Sequence, residues 1–170
     1  VSATTVRRYL DILTDAMVVR QLPPWLANIS KRQIRSPKVY IADSGMLHTL
    51  LGMESREDLE THPKVGASWE GFVIKEIVTR IGARPEECYF WGTHSGAELD
   101  LLVVRGRKKI GFEIKRTTAP RISRSMSSAA GTLKTDRIFL VHAGEHSFPL
   151  ADGIDAVAFD RLQEDVDVHL

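Results

Sequence analysis

The stretch Glu98-Leu-Asp-Leu-Leu-Val-Val-Arg-Gly-Arg-Lys-Lys-Ile-Gly-Phe-Glu-Ile-Lys115 leaves the fewest choices for the rest of the chain. Its apolar residues recur with period two on either side of Gly106-Arg107, which predicts two strands around a two-residue loop. Gly at the first loop position suits a type II′ hairpin. Arg105 then faces Lys108, Asp100 faces Glu113, and Glu98 faces Lys115. Side chains alternate across a sheet. One face is therefore expected to carry Glu98, Asp100, Leu102, Glu113 and Lys115 beside the small Gly111. The other is wholly apolar, with Leu99, Leu101, Val103, Ile110, Phe112 and Ile114, and reads as core.

Carboxylates directly opposite each other on a sheet repel by roughly 0.2–1 kcal/mol. They call for a proton, a basic partner or a cation between them. A hard divalent cation with oxygen ligands is one answer. The plainer one is that Lys115 neutralises Glu113 or Glu98 on a solvated surface.

The chain of 170 residues, 43% of them apolar, suffices for one ordinary domain, or a domain plus a small appendage. Its net charge of +1 excludes nothing, but the charge is unevenly placed. Residues 1–38 hold seven Lys/Arg against two Asp/Glu, residues 105–124 eight against one, and residues 145–170 one against seven. A basic sector beside an acidic cluster suits a polyanion such as DNA. The single cysteine, Cys88, excludes an internal disulfide framework and Cys-rich zinc sites. With no 18-residue apolar run and no signal-peptide pattern, the expectation is a cytoplasmic protein without a membrane span.

From the start, residues 2–19 read as a helix capped at Ser2 or Thr4, with Val6, Leu10, Leu13 and Met17 as its apolar stripe. A short strand follows at residues 18–22, stopped by Pro23-Pro24, then a basic loop, then a strand at residues 38–42. Helix, strand, basic loop, strand is the order of the second half of a winged helix. Residues 1–53 are accordingly expected to form a partial winged helix, with Arg7, Arg8, Lys31, Arg32 and Arg35 placed to touch phosphate. Asp43 caps a short helix ended by Gly52. Residues 54–65 read as a linker, either loop or short surface helix. Ser68 is expected to cap a helix that ends at Gly82 and carries Glu70, Ile74, Ile77 and Ile81 on one face. A strand at residues 87–92 precedes the hairpin. A helix over residues 121–133 and a strand over residues 136–142 follow it. The remainder reads as a turn, a strand near residues 155–159 and an acidic terminal helix.

From Ser68 onward the order is helix, strand, strand, strand, helix, strand, with acids at Glu70, Asp100 and Glu113-Ile-Lys115. This resembles the restriction-endonuclease-like nuclease superfamily, whose signature is Asp, a variable gap, then Asp/Glu-x-Lys. The fold the resemblance implies for residues 66–170 is α/β: a helix, a three-stranded antiparallel meander, a helix and a strand. It implies Mg²⁺ or Mn²⁺ held by Asp100, Glu113, the Ile114 carbonyl and Glu70, with Lys115 positioning or activating the attacking water. Asp100, Glu113, Lys115 and Glu70 would be the catalytic set for phosphodiester hydrolysis, and Arg116, Arg121 and Arg124 would hold the nucleic-acid backbone.

A second resemblance spans nearly the whole chain. Val1-Ser-x-x-Thr-Val-x-x-Tyr-Leu, Leu22-Pro-Pro-Trp, Pro37-Lys-Val-Tyr-Ile-Ala-Asp-Ser-Gly-Met and the Trp69-Glu-Gly helix look like the C-terminal region of a family of prokaryotic AAA-type ATPases. No Gly-x-x-x-x-Gly-Lys-Ser/Thr occurs, so ATP is expected only in an N-terminal ATPase domain outside this sequence. That domain and DNA are the partners implied, and an oligomer is compatible with them. The alternative is a catalytically inactive module that keeps the nuclease fold and binds DNA or a protein partner. His94, in a polar loop, and His142, at the end of a buried-type strand, lack the spacing of a zinc site. No Gly-x-Ser-x-Gly elbow occurs.

Overall fold

A computed structural model of the chain describes residues 1–26 and 33–166. Its elements in chain order are α1 (Ala3–Asp15), β1 (Val19–Leu22), β2 (Lys38–Ile41), α2 (Ser44–Leu50), α3 (Arg56–Thr61), α4 (Val65–Arg80), β3 (Cys88–Gly92), β4 (Glu98–Arg105), β5 (Lys108–Lys115), α5 (Arg124–Leu133), β6 (Arg137–His142), β7 (Phe148–Ala151), β8 (Ile154–Ala158) and α6 (Leu162–Asp165). The architecture is mixed α/β. Among the described residues, β1 and β2 form a two-stranded sheet, and the others a six-stranded sheet ordered β3-β4-β5-β6-β8-β7.

The hairpin forms where the alternation placed it. Arg105 pairs with Lys108, and the register runs unbroken to Leu101 opposite Phe112. Gly106 takes φ +63°, as the first position of a II′ turn requires. β5 then pairs in parallel with β6, and β6 with β8, so the hairpin sits in the middle of the sheet. A central position explains why both of its faces carry buried apolar residues.

One core lies between the sheet and α4, where Val73, Ile74 and Ile77 pack with Leu101, Val103, Phe112 and Ile114. The second lies on the opposite face, where Met126, Ala129 and Leu133 of α5 cover Leu99, Leu102, Ile138 and Leu140. At about 1.5–3 kcal/mol per fully buried large apolar side chain, these two layers are the main stabilising contribution. The expected charged face of the hairpin is thereby corrected. Leu102 is wholly buried, and Gly111 is small because Leu99 lies against it: a Cβ at Gly111 would stand 2.9 Å from Leu99 Cδ2.

The strict alternation also fails at one point. Leu99 and Leu101 are two residues apart, yet they belong to opposite cores. Opposite them, Tyr89 pairs with Leu102 and Trp91 with Leu99, so β4 spends three steps where β3 spends two. This is a β-bulge at Asp100-Leu101, and a bulge re-aims the side chain it carries.

Smaller differences concern element ends. α4 begins at Val65 rather than Ser68 and has no side-chain cap; Ser68 lies inside it and hydrogen-bonds His48 Nε2 at 2.7 Å. Glu70 is thus in the second turn. α5 begins at Arg124, capped by the extended Ser123, whose hydroxyl accepts from Met126 N–H, and residues 120–123 lie outside any helix. β7 had no strand signal, since Phe148-Pro-Leu-Ala is a mostly exposed edge with a proline, where the ladder tolerates one. The apolar stripe of α1 is not buried among the described residues: Val6, Leu13 and Met17 stay exposed, and Met17 lies past the helix end. β1 and β2 pair antiparallel, with Val19 opposite Ile41 and Leu22 opposite Lys38.

Candidate metal centre

Two elements deliver three acids to one place. α4 brings Glu70, because its apolar residues Ile74 and Ile77 face the sheet and Glu70 lies one turn earlier on that face. β4 brings Glu98 and, through the bulge, Asp100. One carboxylate oxygen from each lies within 4.8 Å of those from the other two. The hairpin register ends at Leu101–Phe112. The next amide, Ile114 N–H, donates instead to Asp100 Oδ2 at 2.9 Å. Asp100 therefore replaces a main-chain acceptor and holds the two strands at the point where they part.

The centre of this cluster is taken by a residue from elsewhere. Lys38, the first residue of β2, donates to Glu70 Oε1 at 3.0 Å and to Asp100 Oδ1 at 3.2 Å, and it also ion-pairs Glu98. Tyr40, two residues on and on the same face of β2, donates its hydroxyl to Glu70 Oε1 at 2.6 Å. Glu113 is buried and close to the cluster, but its ion-pair partner is Lys115 at 2.9 Å.

The protonation states follow from burial and charge. Asp100 is pushed up to about 7, first by burial and then by Glu70 and Glu113, with Lys38 and the Ile114 amide pulling the other way. Burial likewise raises Glu113, against the pull of Lys115. Burial by itself would lower Lys38 and Lys115. For Lys38 the neighbouring Asp100, Tyr40 and Glu70 more than reverse this, and for Lys115 Glu113 does so, so both stay firmly cationic. One ammonium faces three carboxylates, and the repulsion from Glu70 adds to the larger effect of burial in raising Asp100.

Of the residues expected from the sequence, Glu70 and Asp100 are brought together, and Glu113 and Lys115 lie beside them as a pair. Ile114 meets Asp100 through its N–H. Arg7, Arg8, Arg35, Arg121 and Arg124 are exposed. Arg116 is also exposed and ion-pairs Glu60 of α3. Arg32, like Lys31, lies outside the described residues. Glu98, Lys38 and Tyr40 were missing from the expected set. The period-two spacing of Lys38 and Tyr40 puts them on one face of β2, but which surface that face meets is a tertiary fact. His94 is exposed in its loop. His142 is buried, accepts a hydrogen bond from Gly144 N–H through Nδ1, and leaves Nε2 without a partner among the described residues.

The mixed α/β sheet thus carries a cluster of three acids, Glu70, Glu98 and Asp100, that could hold a metal ion. The family can be stated more narrowly. The chain belongs to the family described as domain of unknown function DUF4143, whose model matches residues 65–162. Residues 1–57 match a second family, domain of unknown function DUF8612. The chain is similar to the uncharacterized protein Mb2031c of Mycobacterium bovis and the uncharacterized protein Rv2008c of Mycobacterium tuberculosis. It is 55% identical to each over 162 residues, which is 95% of this chain and 36% of each relative. It thus spans about a third of the length of these relatives. No solved structure matches the chain. None of the helices among the described residues is long and apolar enough to cross a membrane.

Proposed function

We propose that this chain is a restriction-endonuclease-like domain for metal-dependent phosphodiester hydrolysis of DNA, carried behind the ATPase domain of a longer AAA-type protein. The observation that carries the reading is the splayed hairpin. Asp100 leaves the strand ladder to face Glu70 and Glu98, while Glu113 and Lys115 close the other side. The donor chemistry fits a hard cation: three carboxylates converge, one of them buried, and they already draw an ammonium to their centre. Glu70, Glu98 and Asp100, with Glu113 adjacent, would hold Mg²⁺ or Mn²⁺. When bound, such an ion polarises a phosphate oxygen and lowers the pKa of a coordinated water.

The chain's own residues supply the rest. Lys115, half exposed and firmly charged, offsets the negative charge that builds on the phosphate and orients the attacking water. Arg124, exposed at the start of α5, and Arg121, exposed just before it, engage the nucleic-acid backbone, as do Arg7, Arg8 and Arg35 on the N-terminal segment. The length of the matched relatives beyond the region shared with this chain leaves room for the ATPase domain.

A second reading has its own observation. Lys38 sits among the acids and Lys115 neutralises Glu113, so every acid of the cluster has a cationic partner without a metal. That pattern favours a catalytically inactive module that binds DNA or a protein partner.

Incubation with single-stranded, linear and branched DNA in Mg²⁺ or Mn²⁺, beside Asp100→Ala and Lys115→Ala, separates the two. Cleavage by the wild type that both substitutions abolish is the expected result. Cleavage that survives both refutes the site, and salt-sensitive binding without cleavage assigns the inactive module.

A further inference from the structure

The acids and the ammonium at their centre come from different parts of the chain. Glu70, Glu98 and Asp100 lie in the region matched by the first family model, residues 65–162, whereas Lys38 and Tyr40 lie in residues 1–57, matched by the second. Lys38 opens β2, and its side chain crosses to the six-stranded sheet, where its Nζ is within 3.2 Å of both Glu70 and Asp100. Those are the oxygens a divalent cation would use. An ammonium in contact with Glu70 and Asp100 and paired with Glu98 cannot share that space with a metal ion, because two cations at such separation repel strongly in a half-buried site. One ammonium against three carboxylates nevertheless leaves the cluster short of positive charge, which a divalent ion would supply better.

We infer that Lys38 is a tethered competitor for the cation seat, so that the position of the β1–β2 segment sets the metal affinity of the Glu70–Glu98–Asp100 cluster. This rests on the metal-binding reading above. With Lys38 seated, the cluster is closed to divalent ions. With β2 drawn back, the three carboxylates are freed together. Tyr40 moves with it and releases Glu70, so one displacement of one strand changes both contacts. The N-terminal segment thereby becomes the element through which the rest of a longer protein controls the site.

The test is isothermal titration of the whole chain with Mn²⁺, comparing wild type, Lys38→Gln, Lys38→Met and each combined with Asp100→Asn. Gln keeps a hydrogen-bond donor near the acids without the charge, and circular dichroism checks that each variant is folded. The inference expects both Lys38 variants to bind Mn²⁺ at least about tenfold more tightly than wild type, the minimum expected on removing a cation at contact distance. It also expects Asp100→Asn to abolish that binding. Equal affinity in wild type and Lys38 variants, lost in every Asp100→Asn form, overturns the competition and leaves the metal site standing. Mn²⁺ binding that is absent, or indifferent to Asp100, in all forms overturns the metal site and the competition together.

Discussion

Asp100→Asn is expected to stabilise the metal-free protein at alkaline pH, at the expense of the centre it belongs to. Asp100 holds its proton up to about 7 in the fold, against an ordinary value of 3.8. A group whose folded pKa is raised stabilises the protein fully below its unfolded pKa, and that stability is lost as pH rises through the folded pKa. The window here is pH 4 to 7, and above it the ionised Asp100 faces Glu70 and Glu113, with Lys38 offsetting only part of that repulsion. At 1.36 kcal/mol per pKa unit, the full effect is at most about 4 kcal/mol. Asn keeps an oxygen for Ile114 N–H but loses a charge-assisted bond, which costs about 1 kcal/mol. The net gain at pH 8 is therefore about 1–3 kcal/mol. For a chain of this length that corresponds to a Tm roughly 2–12 °C above wild type. Near pH 4, where both side chains are neutral, the two proteins should melt together. Differential scanning calorimetry without divalent ions and with a chelator, at pH 4, 6 and 8, measures this. A pH-independent difference, or a variant less stable than wild type at pH 8, refutes the electrostatic reasoning.

Gly111→Ala is expected to lose about 1–3 kcal/mol in urea unfolding, because its Cβ would press on Leu99 and on Ile138 Cγ1, 3.1 Å away, in a core already full. Lys115→Met leaves the Glu113 carboxylate buried without its partner, so about 1–3 kcal/mol should be lost at pH 8. The loss should shrink as pH falls and the already raised Glu113 takes up a proton. The Cys88 thiol is buried and pushed up to about 11 by that burial, so a disulfide reagent should titrate it at pH 8 only after denaturation. If Arg121 and Arg124 contact phosphate, replacing each by Ala should lower the slope of log affinity for DNA against log salt by about one; an unchanged slope removes them from the interface.

The sheet core was legible because alternation and length are local. Gly106-Arg107 with flanking period-two residues specified the hairpin register down to Arg105–Lys108, and Ile74, Ile77 and Ile81 specified which side of α4 meets the sheet. What escaped was set by neighbours distant in sequence. Alternation cannot say that β5 and β6 run parallel through the middle of the sheet, so Leu102 and Gly111 were read as part of a charged outer face. Ser68 looked like a cap because Ser often is one, but its hydroxyl is held by His48 from another helix. The exposed edge strand β7 forms because β8 offers it a ladder, with no apolar pattern of its own.

The same distinction explains the composition of the candidate centre. A perfect alternation would set Asp100 across from Glu113, and a cation between those two would follow. The bulge at Asp100-Leu101 is one extra residue in β4, and its signal is invisible in a sequence where Leu99, Leu101 and Leu102 are interchangeable by hydropathy. That one residue turns Asp100 to the α4 side, makes Glu70 and Glu98 its partners, and leaves Glu113 to Lys115. Lys38 then has a place to go. An acid cluster displaced by one step from the hairpin plane is open to β2, whereas the alternating arrangement would have put Asp100 on the face covered by α5. The bulge therefore decides both which acids meet and which segment can compete for them, and a deletion of one residue that restores the regular ladder would be expected to remove both properties at once.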